Sequence, residues 1–373
     1  MKNSIAKNIF EKLLNSADIK INGERPWDIL VYNQKVFERV AYGGSLAIGE
    51  SFVDKWWDCE KLDQLFERIF ESNLNEKLKY RIPSWSSLIM SKKTTLMNKI
   101  KSYEVAKLHY DLGNKLFFAM LDKRLNYSCG YWKDTDSLDE AQEKKLDLIC
   151  RKLNLKPEME VLDIGCGWGS FAKFAAERYN VNVLGITISK EQHTFAKENC
   201  KDLNVKIVLK DYRDIKNKYD RIVSIGMFEH VGLKNYMKFM KIAHNCLKDD
   251  GIFLLHTIGR NISSSNADAW IEKYIFPNSM LPSPSHITTA CENFFVIEDW
   301  HNFGQYYDNT LMAWYENFCN SWGNLKEDYD ERFFRIWKYY LLSCAGCFRA
   351  RINQLWQIVF SKKGIKLGYK SLR

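Results

Sequence analysis

Between Val161 and Ile258 the hydrophobic residues fall in short continuous runs, and the stretches between the runs carry helical spacing. The runs Val161–Ile164, Val181–Thr187, Val205–Leu209, Arg221–Gly226 and Gly251–Ile258 predict buried strands, while Ser189–Cys200 and about Lys234–Leu247 predict helices. Strands alternating with helices predict a doubly wound, mostly parallel α/β sheet that binds ligand at the carboxyl ends of its strands. The pattern differs over residues 1–82, where Ile5, Ile9 and Leu13 keep helical spacing and a turn-rich Tyr42–Gly49 segment follows. This predicts a small N-terminal domain, in which burial of Trp56 and Trp57 is favoured over a place at a membrane interface. Residues 83–105, with Pro83, serines and lysines, read as a basic linker to the main domain over 106–373. Past Ile258 the alternation lapses into polar Asn261–Asn266 and then Trp270, Tyr274 and Phe276, which reads as an insertion supplying substrate contacts.

The segment Asp163-Ile164-Gly165-Cys166-Gly167-Trp168-Gly169 runs from the first of these strands into a glycine turn. Glycine lets the backbone turn tightly and approach a ligand closely. Asp163 stands at the strand end, where a pyrophosphate would be a poor neighbour for its carboxylate. The sulfonium and amino group of S-adenosylmethionine would be good ones, so the turn points to a methyl donor rather than a dinucleotide.

Composition narrows the field. The 373-residue chain has 12 Trp, 19 Tyr and 22 Phe, enough to line a wide apolar cavity, although core packing accounts for most of them. No apolar run of about 18 residues is present, so the expectation is a cytoplasmic protein. The 10 cysteines are scattered, which predicts free thiols, and Cys344-Ala345-Gly346-Cys347 lacks the second pair that a zinc site needs. No metal is expected. The net charge of +9 favours an acidic partner. Its lysines and arginines gather at Lys92, Lys93, Lys99, Lys101 and Lys107, and again at Arg349, Arg351, Lys362, Lys363, Lys366, Lys370 and Arg373. No nucleic-acid signature recruits them, and for either run alone a solvated face is the favoured reading.

Several further segments carry a resemblance. His109-Tyr110-Asp111-Leu112-Gly113-Asn114, Asn126-Tyr127-Ser128-Cys129-Gly130-Tyr131-Trp132, Gly226-Met227-Phe228-Glu229-His230-Val231-Gly232, His256-Thr257-Ile258-Gly259, Tyr274-Ile275-Phe276-Pro277 and Trp300-His301-Asn302-Phe303-Gly304 closely resemble the bacterial cyclopropane-fatty-acyl-phospholipid synthases. The resemblance covers the chain from about Ala106 to its end and implies a class I S-adenosylmethionine-dependent methyltransferase fold, Rossmann-like, with a small N-terminal domain. It implies transfer of a methylene group to the cis double bond of an unsaturated phospholipid through a carbocation, on a membrane surface to which the protein attaches peripherally at its inner face. A homodimer is left open.

The resemblance also implies roles. A bound bicarbonate would serve as base, held by Cys129, Glu229, His256, the backbone of Ile258 and Tyr307. Taken singly, Cys129 reads as a small core residue, His256 as a satisfied core histidine and Tyr307 as one aromatic among many, while Glu229 at a strand end is harder to dismiss. Tyr127 and Ser128 would reach the methionine part of the cofactor, with Gly165 and Gly167 against it. Thr187 and Gln192 would bind near the ribose, and Tyr212 and Arg213 would flank the adenine. Tyr131, Trp132, Phe228 and Trp270 are candidates to stabilise the cation through their ring faces. Two other readings stay open: a related methyltransferase that adds a branching methyl or methylates an amine, and a non-enzymatic lipid-binding protein on the same fold.

Overall fold

The computed structural model describes residues 2–74, 113–264 and 267–373. The expected linker 83–105, the lysines from Lys92 to Lys107 and the His109–Leu112 part of the first motif lie outside the described residues. The chain forms two compact units.

The first unit comprises residues 1–95 and draws in 267–277 and 311–353, two segments that the sequence reading assigned to the main domain. Its described elements begin with helix α1 (Lys2–Asn15), α2 (Val36–Val53) and α3 (Leu62–Glu71), with the short antiparallel strands β1 (Leu30–Val31) and β2 (Trp57–Asp58) between them. The Tyr42–Gly49 segment, expected as turns, is helical, and only Gly44 departs from helical backbone, at φ 56° and ψ −138°. Two apolar helical stretches thus abut at one glycine. A Cβ at Gly44 would meet nothing within 4 Å, so the requirement is conformational rather than steric. Gly44→Ala should therefore cost about 1–3 kcal/mol, seen as a lower Tm. An unchanged Tm would mean that the kink is not required.

Trp57 is buried in this unit, whereas Trp56 is half-buried beneath the Arg39 guanidinium, 4.7 Å from its ring. Arg335 donates to the Phe52 carbonyl at 2.8 Å and to Asp58 at 2.8 Å, and its charge lies 4.0 Å over the Phe52 ring. Trp270 packs in the same unit, its ring 4.5 Å from that of Tyr339 and against Gly49, where a Cβ would come within 2.3 Å of the indole.

The second unit holds a seven-stranded sheet. Strands β3 (Glu160–Ile164), β4 (Asn182–Thr187), β5 (Val205–Leu209), β6 (Tyr219–Ile225), β7 (Leu247–Arg260), β8 (Val296–Asn302) and β9 (Asn353–Ser361) lie in the order β5-β4-β3-β6-β7-β9-β8. The pairs β5·β4, β4·β3, β3·β6 and β6·β7 are parallel, as the alternating pattern predicts, and β8·β9 is antiparallel. The two C-terminal strands were not anticipated. β9 is buried through most of its length and enters the sheet only after some fifty residues of chain that include two long helices, Tyr306–Leu325 and Glu331–Arg349. One apolar layer covers each sheet face. Leu146, Ile149, Phe171, Val183 and Leu254 belong to one, and Leu162, Ile222, Phe239, Phe253 and Phe360 to the other.

All ten cysteines are free, including Cys344 and Cys347 within the helix Glu331–Arg349. Among the described residues no helix is long and apolar enough to cross a membrane, and no cluster of His, Cys, Asp and Glu could hold a metal. Four of the seven charges in the C-terminal basic tract are paired: Arg349 with Asp63 and Glu67, Lys362 and Lys363 with Asp249, and Arg373 with Asp299. That tract is in good part internal neutralisation.

Candidate active site

Strand β3 has β4 on one side and β6 on the other, so its carboxyl end lies where the strand order reverses and a crevice opens. The glycine turn occupies this point, with Gly165, Gly167 and Gly169 at φ +86°, +55° and +86°. A Cβ at Gly165 would fall 2.8 Å from Met227, while one at Gly167 would project into open space with nothing within 4 Å. The first glycine relieves a clash and the second leaves room for a ligand.

The cavity over the turn gathers every residue expected at the cofactor. Tyr127, Ser128 and Asp163 line one part, Gly165 and Gly167 the floor, and Thr187, Gln192, Tyr212 and Arg213 the remainder. Asp163 is 1% exposed, and its Oδ2 has no hydrogen-bond partner among the described residues. Burial pushes its pKa up to about 7, although the nearby Lys145 charge pulls the other way. A buried carboxylate with an idle oxygen is costly unless a cation completes it. The ammonium and sulfonium of S-adenosylmethionine fit that need.

The polar rim is preset. Thr187 Oγ1 donates to Gln192 Oε1 at 3.0 Å, leaving the Gln192 NH2 as the donor suited to a ribose hydroxyl. Ser189 caps the following helix by accepting from the Gln192 N–H at 3.3 Å. Arg213 is forked onto Asp211, whose side chain also accepts from the Arg213 N–H at 2.9 Å, and this fixes the Tyr212–Arg213 turn at the cavity. The Tyr212 ring lies edge-on to Phe239 at 5.3 Å.

Sequence reasoning missed Lys145, Asn126 and Gln142. Lys145 is fully buried, lines the cavity, and donates to Asn126 Oδ1 at 2.9 Å and Ser128 Oγ at 3.0 Å. Gln142 donates to the Ser128 carbonyl at 2.7 Å. The signal was present: Gln142, Lys145 and Lys152 share the buried stripe of the helix Leu138–Lys152 with Ala141, Leu148 and Ile149, and polar residues on a core stripe need a reason.

None of the residues expected around bicarbonate lines this cavity, but Glu229 and His256 are neighbours of residues that do. Glu229 lies between Met227 and His230, both of which line it, and His256 pairs with Ile225 in the β6·β7 register. Glu229 Oε1 accepts from the Ile258 N–H at 2.7 Å. This changes the expected role of Ile258, since its amide is engaged by Glu229 and acts by aiming that carboxylate. Glu229 Oε2 and His256 Nε2 are buried with no partner among the described residues. Burial raises the Glu229 pKa to about 7 and lowers that of His256 well below its ordinary value, so the imidazole is neutral. Gln357 Nε2 lies 3.3 Å from His256 Nδ1 and donates where that nitrogen is the acceptor, the tautomer that leaves Nε2–H as a donor.

Cys129 is buried and its thiol pKa is raised, which makes it a hydrogen-bonding thiol rather than a nucleophile. Thr310 accepts from the Trp132 indole at 2.8 Å and the Gly130 N–H at 3.0 Å, with its Oγ1 3.9 Å from Cys129 Sγ. Tyr307, also buried, stands three residues before Thr310 on the same helix. No hydrogen bond joins Cys129, Glu229 and His256 to one another. Of the aromatic candidates, Phe228 stacks on Tyr236 at 4.1 Å, Tyr131 packs edge-on against Phe303 and Tyr306, and Trp132 is held by Thr310. Trp270 belongs to the first unit.

Sheet order, glycine turn and cavity together define a class I S-adenosylmethionine-dependent methyltransferase fold. A family model described as mycolic acid cyclopropane synthetase matches residues 97–358. The chain belongs to this cyclopropane synthase family. It is 50% identical to the cyclopropane-fatty-acyl-phospholipid synthase of Escherichia coli K12 over 98% of this chain and 95% of that protein. Among solved structures, cyclopropane synthase MmaA2 from Mycobacterium tuberculosis matches with TM-score 0.67 and 30% identity, covering 73% of this chain and 100% of that one. The mycolic acid cyclopropane synthase CmaA1, solved with SAH and CTAB, matches with TM-score 0.66 and 33% identity over 70% of this chain and 98% of that one.

Proposed function

We propose that this enzyme transfers a methylene group from S-adenosylmethionine to the cis double bond of an unsaturated phospholipid acyl chain, closing a cyclopropane ring. The observation that carries the reading is the pair of idle buried atoms, Glu229 Oε2 and His256 Nε2, set beside a methyl-donor cavity. An amine acceptor can use a buried base for its own proton, but it needs no further donors to cage a bicarbonate.

S-adenosylmethionine supplies an electrophilic methyl group on a sulfonium. The alkene electrons form the new carbon–carbon bond as the carbon–sulfur bond breaks, which leaves a cation on the acyl chain. A proton then leaves the added methyl, and its bonding pair closes the ring. The protein must keep water from the cation, and the buried walls of Phe228 and Tyr131 serve that end. Bicarbonate fits the idle atoms as a weak base: Glu229 would accept its hydroxyl proton, while neutral His256 and the Tyr307 phenol would donate to its oxygens, and the Cys129 thiol would join them on turning from the Gly130 carbonyl to which it donates at 3.2 Å. The test is mass spectrometry of acyl chains after incubation with labelled S-adenosylmethionine and cis-unsaturated phospholipid, with and without bicarbonate. The expected product gains one methylene per double bond, resists hydrogenation and depends on bicarbonate. A hydrogenatable or branched product would favour the branching-methyl reading, and cofactor binding without labelled lipid would favour the lipid-binding one.

The membrane partner is part of the same proposal. Leu233 and Met237 are 40% and 51% exposed, and Lys234, Lys238 and Lys241 are exposed around them. Leu233 stands between the cavity-lining Val231 and Asn235, so an apolar and basic stripe borders the site, suited to anionic lipid. Replacing the three lysines by Gln should reduce flotation with anionic vesicles severalfold and leave turnover of detergent-dispersed lipid intact. Unchanged flotation would remove this stripe from the docking surface.

A further inference from the structure

Two opposite charges are buried in the cofactor cavity without forming an ion pair with each other. Lys145 and Asp163 are 0% and 1% exposed, both line the cavity, and no salt bridge joins them. Asp163 Oδ2 is idle among the described residues. Lys145 has three N–H donors, and its two recorded bonds go to neutral oxygens, Asn126 Oδ1 at 2.9 Å and Ser128 Oγ at 3.0 Å. The nearest relay to a carboxylate is indirect: Asn126 in turn donates to Asp122 Oδ2 at 2.8 Å through its side chain and to Oδ1 at 2.7 Å through its backbone. A lysine held rigidly in the interior with only neutral direct partners pays a large desolvation cost unless something brings it an anion.

A free α-amino acid end supplies both missing partners at once, an ammonium for the carboxylate and a carboxylate for the lysine. We infer that Lys145 is the counter-ion of the methionine carboxylate of S-adenosylmethionine, with Asp163 taking the ammonium, so that the two charges fix the direction in which the donor enters. Ser128, bonded to Lys145 through its hydroxyl and to Gln142 through its carbonyl at 2.7 Å, is then placed by the lysine rather than acting alone. This rests on the cofactor reading already given and adds the residue that recognises one end of the molecule.

The experiment is calorimetric binding to the full-length protein of three probes: S-adenosylhomocysteine, its decarboxylated analogue, and 5′-deoxy-5′-methylthioadenosine, which lacks the amino acid end. In the unaltered protein the decarboxylated analogue should bind roughly 10–100-fold more weakly than S-adenosylhomocysteine, the range for losing a buried charged hydrogen bond. Lys145→Met should weaken S-adenosylhomocysteine by a similar factor, leave 5′-deoxy-5′-methylthioadenosine unchanged, and abolish the penalty for decarboxylation. Equal weakening of all probes would make the lysine a purely structural residue and overturn the assignment. Indifference of the unaltered protein to decarboxylation would overturn it too, and that arm does not require the variant to fold. Failure of every probe to bind the unaltered protein would instead sink the cofactor reading itself.

Discussion

Glu229→Gln should lower kcat by about 10²–10³-fold while leaving S-adenosylhomocysteine affinity intact. The side chain is buried beside the donor cavity, one oxygen is fixed by the Ile258 N–H, and the other is idle. Glutamine keeps the size but offers an NH2 in place of one acceptor, so a ligand hydroxyl meets a donor where it needs an acceptor. The pH profile gives a second readout. Burial lifts the Glu229 pKa to about 7, so the carboxylate fraction, and with it kcat, should rise as pH increases through 7. The variant should lose that rising limb. Stability should move the other way. The folded state keeps the proton up to about pH 7 and the unfolded chain releases it near 4, so this group's contribution is full at low pH and is lost as pH rises toward 7. At pH 8 Glu229→Gln should therefore be at least as stable as the parent. A variant that loses activity only in proportion to a lowered Tm would remove Glu229 from the chemistry.

Asp163→Asn should weaken S-adenosylmethionine binding by roughly 10–100-fold at pH 8, the range for removing a buried ionic hydrogen bond. The unliganded carboxylate has its pKa raised to about 7 by burial, and a cation favours the ionised form. Binding should then tighten by up to about tenfold per pH unit below 7, level off above it, and release protons. Titrations in buffers of different ionisation enthalpy would measure that release. The Asn variant should show neither slope nor release. A flat affinity between pH 5.5 and 8 in the parent protein would sink the idea that Asp163 faces the cationic part of the donor.

The α/β core was legible because its signals are local. The inner strands β3, β4, β6 and β7 carry apolar runs buried on both faces, and the edge strand Val205–Leu209, although only Ile207 is buried in it, coincides with the strand observed. The Asp163–Gly169 turn was legible for the same reason, since positive φ at three positions can be met cheaply only by glycine. Site residues within the recognisable motifs could be read singly, and the nine at the cofactor do meet in one cavity.

What the sequence could not show depends on chain segments meeting from far apart. β9 reaches the sheet after two long helices, and its Gln357, which faces His256 across a separation of 101 residues, has no local signature. Helical spacing around Tyr42–Gly49 was masked by its glycines, of which Gly44 serves the backbone kink and Gly49 gives way to the Trp270 indole from another part of the chain. The C-terminal basic tract read as a run of like charges until the fold brought Asp63, Glu67, Asp249 and Asp299 to it. Lys145 looked like one more helical lysine, because burial is a property of what packs around a residue and not of the residue itself. By itself the sequence determined the five parallel strands of the sheet, the turn and the residue types available for the chemistry. Only the tertiary structure decided which charges are paired and which buried polar atoms stay idle, since desolvation and hydrogen bonding depend on neighbours that the fold alone supplies.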